Sequence, residues 1–281
     1  MIWKRVEQFH LFNALYIIRL KFTLMKKSTT ARKKKNYGIK VNRHLYQYSG
    51  IYFVVFFLLA LIAFWTSYYG RLSAPMDFEV HFHGITMTLW CLMLISQAFL
   101  IRFKKHSWHR FSGKLSYLLV PLIVISGFNI AHFTIDNVPE GHPARYYRAA
   151  LMFNSIVVFA IIYGLAIYFR KKPKLHARYM ICTILPLITP ITDRIIFKYI
   201  PALVSYAPAA DGIRMVPALG FALGQIVLIA LIIWDWKKNR QFNAFFIAWI
   251  PLTIYHISVL YFYEYSFWQT FTEWLMSLPL S

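Results

Sequence analysis

Seven stretches of the chain hold about eighteen or more consecutive, nearly all apolar positions: roughly 48–69, 82–101, 115–134, 149–169, 179–200, 214–234 and 244–263. Polar and charged residues collect between these runs. Strict alternation would mark strands, and a one-sided apolar stripe would mark helices on a soluble core. Runs of this length that are apolar all round mark helices whose outer surface meets lipid. The pattern predicts an all-α polytopic bundle of seven transmembrane helices. It divides the chain into a basic tail, 1–47, a transmembrane domain, 48–268, and a short outer C-terminal segment, 269–281. No loop is long enough to fold alone, so activity is expected within the helices or at their rims.

Charge sharpens this picture. Only 15% of residues are charged, too few for a soluble domain of 281 residues. The net charge of +21 would suit nucleic acid, but its distribution does not. With the N-terminus cytoplasmic, the inner segments are the tail, 102–114, 170–178 and 235–243. They hold 25 of the 31 Lys and Arg, and of the acids only Glu7 and Asp235. This positive-inside pattern predicts a cytoplasmic N-terminus and a C-terminus outside. The tail is expected to face anionic lipid headgroups. A folded basic surface for nucleic acid is not visible. Residues 1–24 contain Arg19 and Lys21 within an apolar stretch, which suits an interfacial helix better than a span. Met25 reads as an alternative start, so 1–24 is expected to be either dispensable or a mis-assigned start. Cys91 and Cys182 lie inside runs without a CxxC partner, against disulfide or thiolate metal sites.

An ionisable residue within a span is a functional-site hypothesis by default. The second run opens with "DFEVHFHGITMTLW", Asp77 to Trp90. His81 and His83 point about 200° apart on a regular helix and cannot reach one ion together. Glu79 and His83 share a face that continues through Trp90 to Gln97. That face is expected to look inward, because polar groups exposed to lipid are costly. His81 leads a more lipid-like face with Ile85, Leu92 and Ile95. Both histidines also suit a headgroup-level role. Further candidates are His132 at the outer end of the third run, Asp193 and Arg194 in the outer third of the fifth, Gln225 in the sixth, and His256 halfway along the seventh. Asp193 and Arg194 equally fit a structural ion pair with neighbouring helices. At the inner rim, His106, His109, Arg110 and His176 stand among Lys and Arg, where lipid phosphate contact is the simpler expectation.

Three functions fit these residues. The leading one is histidine-dependent redox work with haem b, held by His83 with His132 at the outer side and by His109 with His176 at the inner side. Zinc, needing three or four ligands, would require His83, His132, Asp193 and His256 to converge. The second is a small-molecule carrier with a polar site around Gln97, Gln225, Asp193 and His256. The third is a non-enzymatic assembly or scaffold subunit. No nucleophile–base–orienter arrangement or phosphate loop is evident, which disfavours hydrolase and kinase chemistry.

Two inner loops resemble each other: "RFKKHSWHRFSGKLSYLLVPLI", from Arg102, and "YFRKKPKLHARYMICTILPLI", from Tyr168. His109 then corresponds to His176, and Pro121 to Pro186. A parallel duplication of helical hairpins is one reading; chance likeness of basic loops before apolar helices is the other. The stretches "VHFHGITMTLWCLMLISQAFLIRF", "HRFSGKLSYLLVPLIVISG" and "HARYMICTILPLITPITDRI" together resemble a bacterial family of polytopic membrane proteins of unknown function, the type called domain of unknown function 2306. The likeness covers roughly 80–198. Its matching positions here are His81 or His83, Gln97, His109, Arg110, Gly113, His176, Met180 and Arg194, with Tyr179 where the family more often has Trp. The resemblance implies one membrane domain, in the bacterial inner membrane, and no established activity.

Overall fold

The computed structural model describes residues 48–210, 212–240 and 244–279. The basic tail, with its expected interfacial helix and the start at Met25, lies outside these residues. Among them, six helices are long and apolar enough to cross a membrane: Phe78–Arg102, His106–Asp136, Pro143–Tyr168, Pro173–Tyr199, Pro217–Lys238 and Ala244–Glu264. The protein is therefore a multi-pass helical membrane protein. The run at 48–69 forms a helix only over Tyr48–Phe64, α1. The described part spans about 26 Å at about 1.5 Å per residue. It stops where Gly70 N–H folds back to the Trp65 carbonyl and a 3₁₀ turn, Tyr69–Arg71, begins.

The long helices are α2 (Phe78–Arg102), α5 (Pro143–Tyr168), α8 (Pro217–Asn239) and α9 (Ala244–Tyr261). The remaining two spans are each split. The first consists of α3 (His106–Gly113) and α4 (Ser116–Asp136), the second of α6 (Pro173–Cys182) and α7 (Leu185–Tyr199). At each junction the hydrogen bonds tighten to i→i+3, as in Leu115 N–H to Ser112 O (3.0 Å) and Ile184 N–H to Ile181 O (3.3 Å). A proline follows each junction, Pro121 and Pro186. Proline has no N–H and its ring crowds the carbonyl four residues earlier, which for Pro186 is Cys182 at the second junction and for Pro121 is Tyr117, just inside α4. The two split spans thus share one design, a short rim helix, a tight turn and a long helix.

Helix α5 is the hub, packed against α4, α6, α7 and α9. Ala149, Ala150 and Ala166 of α5 and Ala244 and Ala248 of α9 are fully buried. In lipid, where tails are as apolar as leucine, such small residues let backbones approach and gain dispersion contacts. Asn154 of α5 donates to Ser258 Oγ of α9 at 2.8 Å. The α7–α8 seam closes on Gly220: a Cβ there would collide with Thr192 Oγ1 and meet the Thr189 backbone at 3.1 Å. Helix α1 lays Phe53, Ala60 and Ala63 against α2 and α7 and leaves Ile51, Tyr52, Val55, Leu59 and Ile62 exposed.

Between α7 and α8 the chain makes a 3₁₀ turn, Pro201–Tyr206, and a two-residue antiparallel pair, β1 (Ala209–Ala210) with β2 (Ile213–Arg214). A helix, α10 (Ser266–Met276), runs across the expected boundary at 268 into the C-terminal segment. Its Trp268, Thr272, Leu275 and Met276 are buried. Arg145 at the start of α5 holds it, with Nε 3.1 Å and Nη2 3.1 Å from the Glu273 carboxylate, while Nη1 donates to the Ile135 and Val138 carbonyls. At the opposite, basic end, Arg178 of α6 donates to Asp235 Oδ1 of α8 at 2.6 Å.

Candidate functional site

Polar side chains gather at three places in the bundle. The first lies toward the end away from the basic loops, around α7. Asp193 and Arg194 are adjacent on that helix and point to different neighbours. Asp193 lies close enough to Tyr147 of α5 and Tyr255 of α9 to interact electrostatically. Its Oδ1 is buried and takes no hydrogen bond, and the buried Tyr147 hydroxyl also has no partner. Tyr255 Oη donates to the Leu151 carbonyl at 3.1 Å. Arg194 turns toward α1 and α2. Its guanidinium sits 4.2 Å above the Phe64 ring and donates to the Pro190 carbonyl, within electrostatic reach of His83. Arg145–Glu273 and Arg178–Asp235 are ion pairs, whereas neither Asp193 nor Arg194 closes one among the described residues.

The inward face of α2 ends at this place. His83 Nδ1 is 3.4 Å from Ser126 Oγ of α4, and Ser126 shares a 2.8 Å hydrogen bond with Thr86. One heptad on, Trp90 is fully buried, edge-on to Phe159 and Tyr163 at 5.3 and 5.9 Å. Glu79 makes no ion pair among the described residues. The His81 face proves to be partly covered by protein: the ring meets Tyr68 edge-on at 5.9 Å, and Thr88 bonds Tyr69 at 2.8 Å.

The second place is the α8–α9 seam. Gln225 donates to Thr253 Oγ1 at 3.2 Å and to His256 Nδ1 at 2.9 Å, and its carbonyl accepts from Trp249 Nε1. Phe221 stacks on His256 with ring centres 4.1 Å apart. Acceptance at Nδ1 leaves the His256 proton on Nε2. Gln225 is satisfied at both ends of its amide. Phe221 also touches Tyr255, which brings this network against the Asp193 place.

The third place is the basic end. His109 of α3 and His176 of α6 face each other, ring centres 6.5 Å apart and planes at 77°. Gln97, near the end of α2, donates to Ser112 Oγ at 2.8 Å and lies beside His109. Arg110 is exposed.

These placements decide which candidates cooperate. His109 and His176 come together. His132 does not meet His83: its Nε2 lies 3.1 Å from the Met276 carbonyl of α10. The set His83, His132, Asp193 and His256 is dispersed, and among the described residues no three His, Cys, Asp or Glu form a metal-sized cluster. Of the carrier set, Gln225, Asp193 and His256 share neighbouring helices, whereas Gln97 stands at the other end. Tyr147 and Tyr255 were not anticipated. As apolar-run aromatics they carry no local signal, and only the packing of α5, α7 and α9 brings them to Asp193.

No family model matches this chain, and neither does any curated protein or solved structure.

Proposed function

We propose that this membrane protein is a carrier for a small polar solute, and that Asp193 receives the solute's N–H or ammonium group. One observation carries the reading: Asp193 Oδ1 and the Tyr147 hydroxyl are both buried and both unpartnered, on residues within electrostatic reach of each other. Buried polar atoms cost about 1–3 kcal/mol each when unsatisfied, and an intramembrane carboxyl is by default a candidate functional group. A ligand that comes and goes accounts for the gap. Tyr147 and Tyr255 supply aromatic walls of the kind that favour cations.

The same proposal takes α1 as a seventh crossing, with lipid against its exposed Ile51, Tyr52, Val55, Leu59 and Ile62. It places the basic loops at the cytoplasmic face of a bacterial inner membrane, on anionic headgroups, as the loop charges support. Single cysteines at Asn137 and Lys172 test the orientation: an impermeant maleimide applied to intact cells labels the first and spares the second.

The function is tested in proteoliposomes with labelled methylammonium and small amino acids. Uptake by wild type that vanishes in Asp193→Asn, with both proteins monodisperse and equally stable, supports the reading. Equal uptake by the variant removes Asp193 from it.

A further inference from the structure

We propose that His109 and His176 form a two-coordinate site for a monovalent copper ion at the basic end of the bundle. The inference stands independently of the carrier reading, since it uses other residues at the other end.

The two histidines occupy matching places. Each is the fourth residue of a short rim helix, α3 or α6, that leads through a tight turn into a long helix. When equivalent positions of two like hairpins face each other, a local two-fold relation between the hairpins is the simplest cause. That relation points two identical ligands at one spot.

The imidazoles are prepared as ligands. His176 Nδ1 lies 2.8 Å from the Ala166 carbonyl, so Nδ1–H donates there and Nε2 keeps its lone pair. A backbone carbonyl that fixes the tautomer in this way is the usual outer partner of a metal-bound histidine. His109 Nδ1 is buried and makes no hydrogen bond. Beside it the Gln97 side-chain oxygen is also buried without a partner, while its amide nitrogen is engaged by Ser112. In its Nε2–H tautomer His109 offers an Nδ1 lone pair, and His176 offers an Nε2 lone pair, the two ligand atoms a cation requires.

Geometry and charge select the ion. Metal–nitrogen bonds of about 2 Å on opposite sides of one atom put two imidazole centres about 6 Å apart, close to the 6.5 Å found. Tetrahedral ligation would bring the rings nearer. Opposed, two-fold ligation is the habit of a closed-shell monovalent copper ion. Lys104, Lys105, Arg110, Lys172 and Lys174 each lie within five residues of His109 or His176 along the chain, and repulsion grows with the charge of the guest. A divalent ion is penalised twice as much.

The test uses full-length protein purified through a tag without histidine. Copper(I) is titrated in competition with bicinchoninate under anaerobic reduction. Wild type is expected to take one ion per chain. His109→Gln and His176→Gln should each weaken binding tenfold or more, and Arg110→Gln should leave it unchanged or tighter. X-ray absorption of the wild-type complex, which does not depend on the variants folding, should show two nitrogen scatterers at the copper. Sulfur scatterers would overturn the site, as would unchanged affinity in a folded double variant. A Soret band in protein expressed with haem available would overturn the copper assignment in favour of haem between the same histidines.

Discussion

Tyr255 and His256 are consecutive in α9 and serve opposite kinds of polar centre. His256 belongs to a closed one. Its Nδ1 receives Gln225, whose other amide atoms are engaged by Thr253 and Trp249, and Phe221 covers its face. Tyr255 borders an open one, where Asp193 Oδ1 and the Tyr147 hydroxyl lie buried without partners. A closed network inside a bilayer holds helices together, because every group in it would otherwise be unsatisfied in hydrocarbon. An open one keeps a debt that only a mobile guest can settle. The difference predicts that substitutions at closed contacts damage stability, whereas substitutions at the open centre damage function alone.

The largest effect is expected at the most enclosed contact. Arg178→Met leaves Asp235 buried beside an apolar side chain and should cost about 3–5 kcal/mol, read as a lower midpoint in detergent unfolding. A near-normal midpoint would mean that the pair adds little. Gly220→Leu should cost about 1–3 kcal/mol through overpacking. By widening the α7–α8 seam it should separate the two centres and lower uptake as well, so stability loss with full uptake would show that their distance is unimportant. Gln225→Leu is expected to cost about 1–2 kcal/mol, the range of side-chain hydrogen bonds between membrane helices, and to leave uptake measurable. The smallest stability effect belongs to Tyr147→Phe, which removes a hydroxyl with no partner and should leave the unfolding midpoint unchanged or slightly raised while weakening uptake. A large loss of stability there would show that the open centre is structural after all.

Much of this architecture is legible in the sequence, and what is not has a common cause. Apolar runs mark the six described spans to within a few residues at most ends, because hydrocarbon requires an uninterrupted stretch. The same requirement hides the lateral arrangement. Lipid is as apolar as a protein core, so the face of α5 that buries Phe153 and Ile162 reads like the one that exposes Val157 and Ile161. Hence Gln97, Asp193, Gln225 and His256 could be named as polar positions, but not sorted into the groups they form. The inward turn of the His83–Trp90 face was readable, since a single helix sets it. The partner of His132 was not, since it comes from α10, whose residues follow the last apolar run and show no comparable signal. The end of α1 at Phe64 was also hidden: its run continues to residue 69, and only the turn that Gly70 closes ends the helix.

The hold that α10 has on the bundle bears on the order of assembly. His132 and Arg145 belong to α4 and α5, which leave the ribosome more than a hundred residues before Met276 and Glu273. Until α10 arrives, the Arg145 guanidinium waits at the membrane rim without its carboxylate. A nascent chain that stops early therefore displays an unmet charge beside a half-built helix pair. Packing of α4 and α5 is thus completed only by residues made much later, and a membrane protease that surveys exposed rims would have there a direct sign of an unfinished molecule.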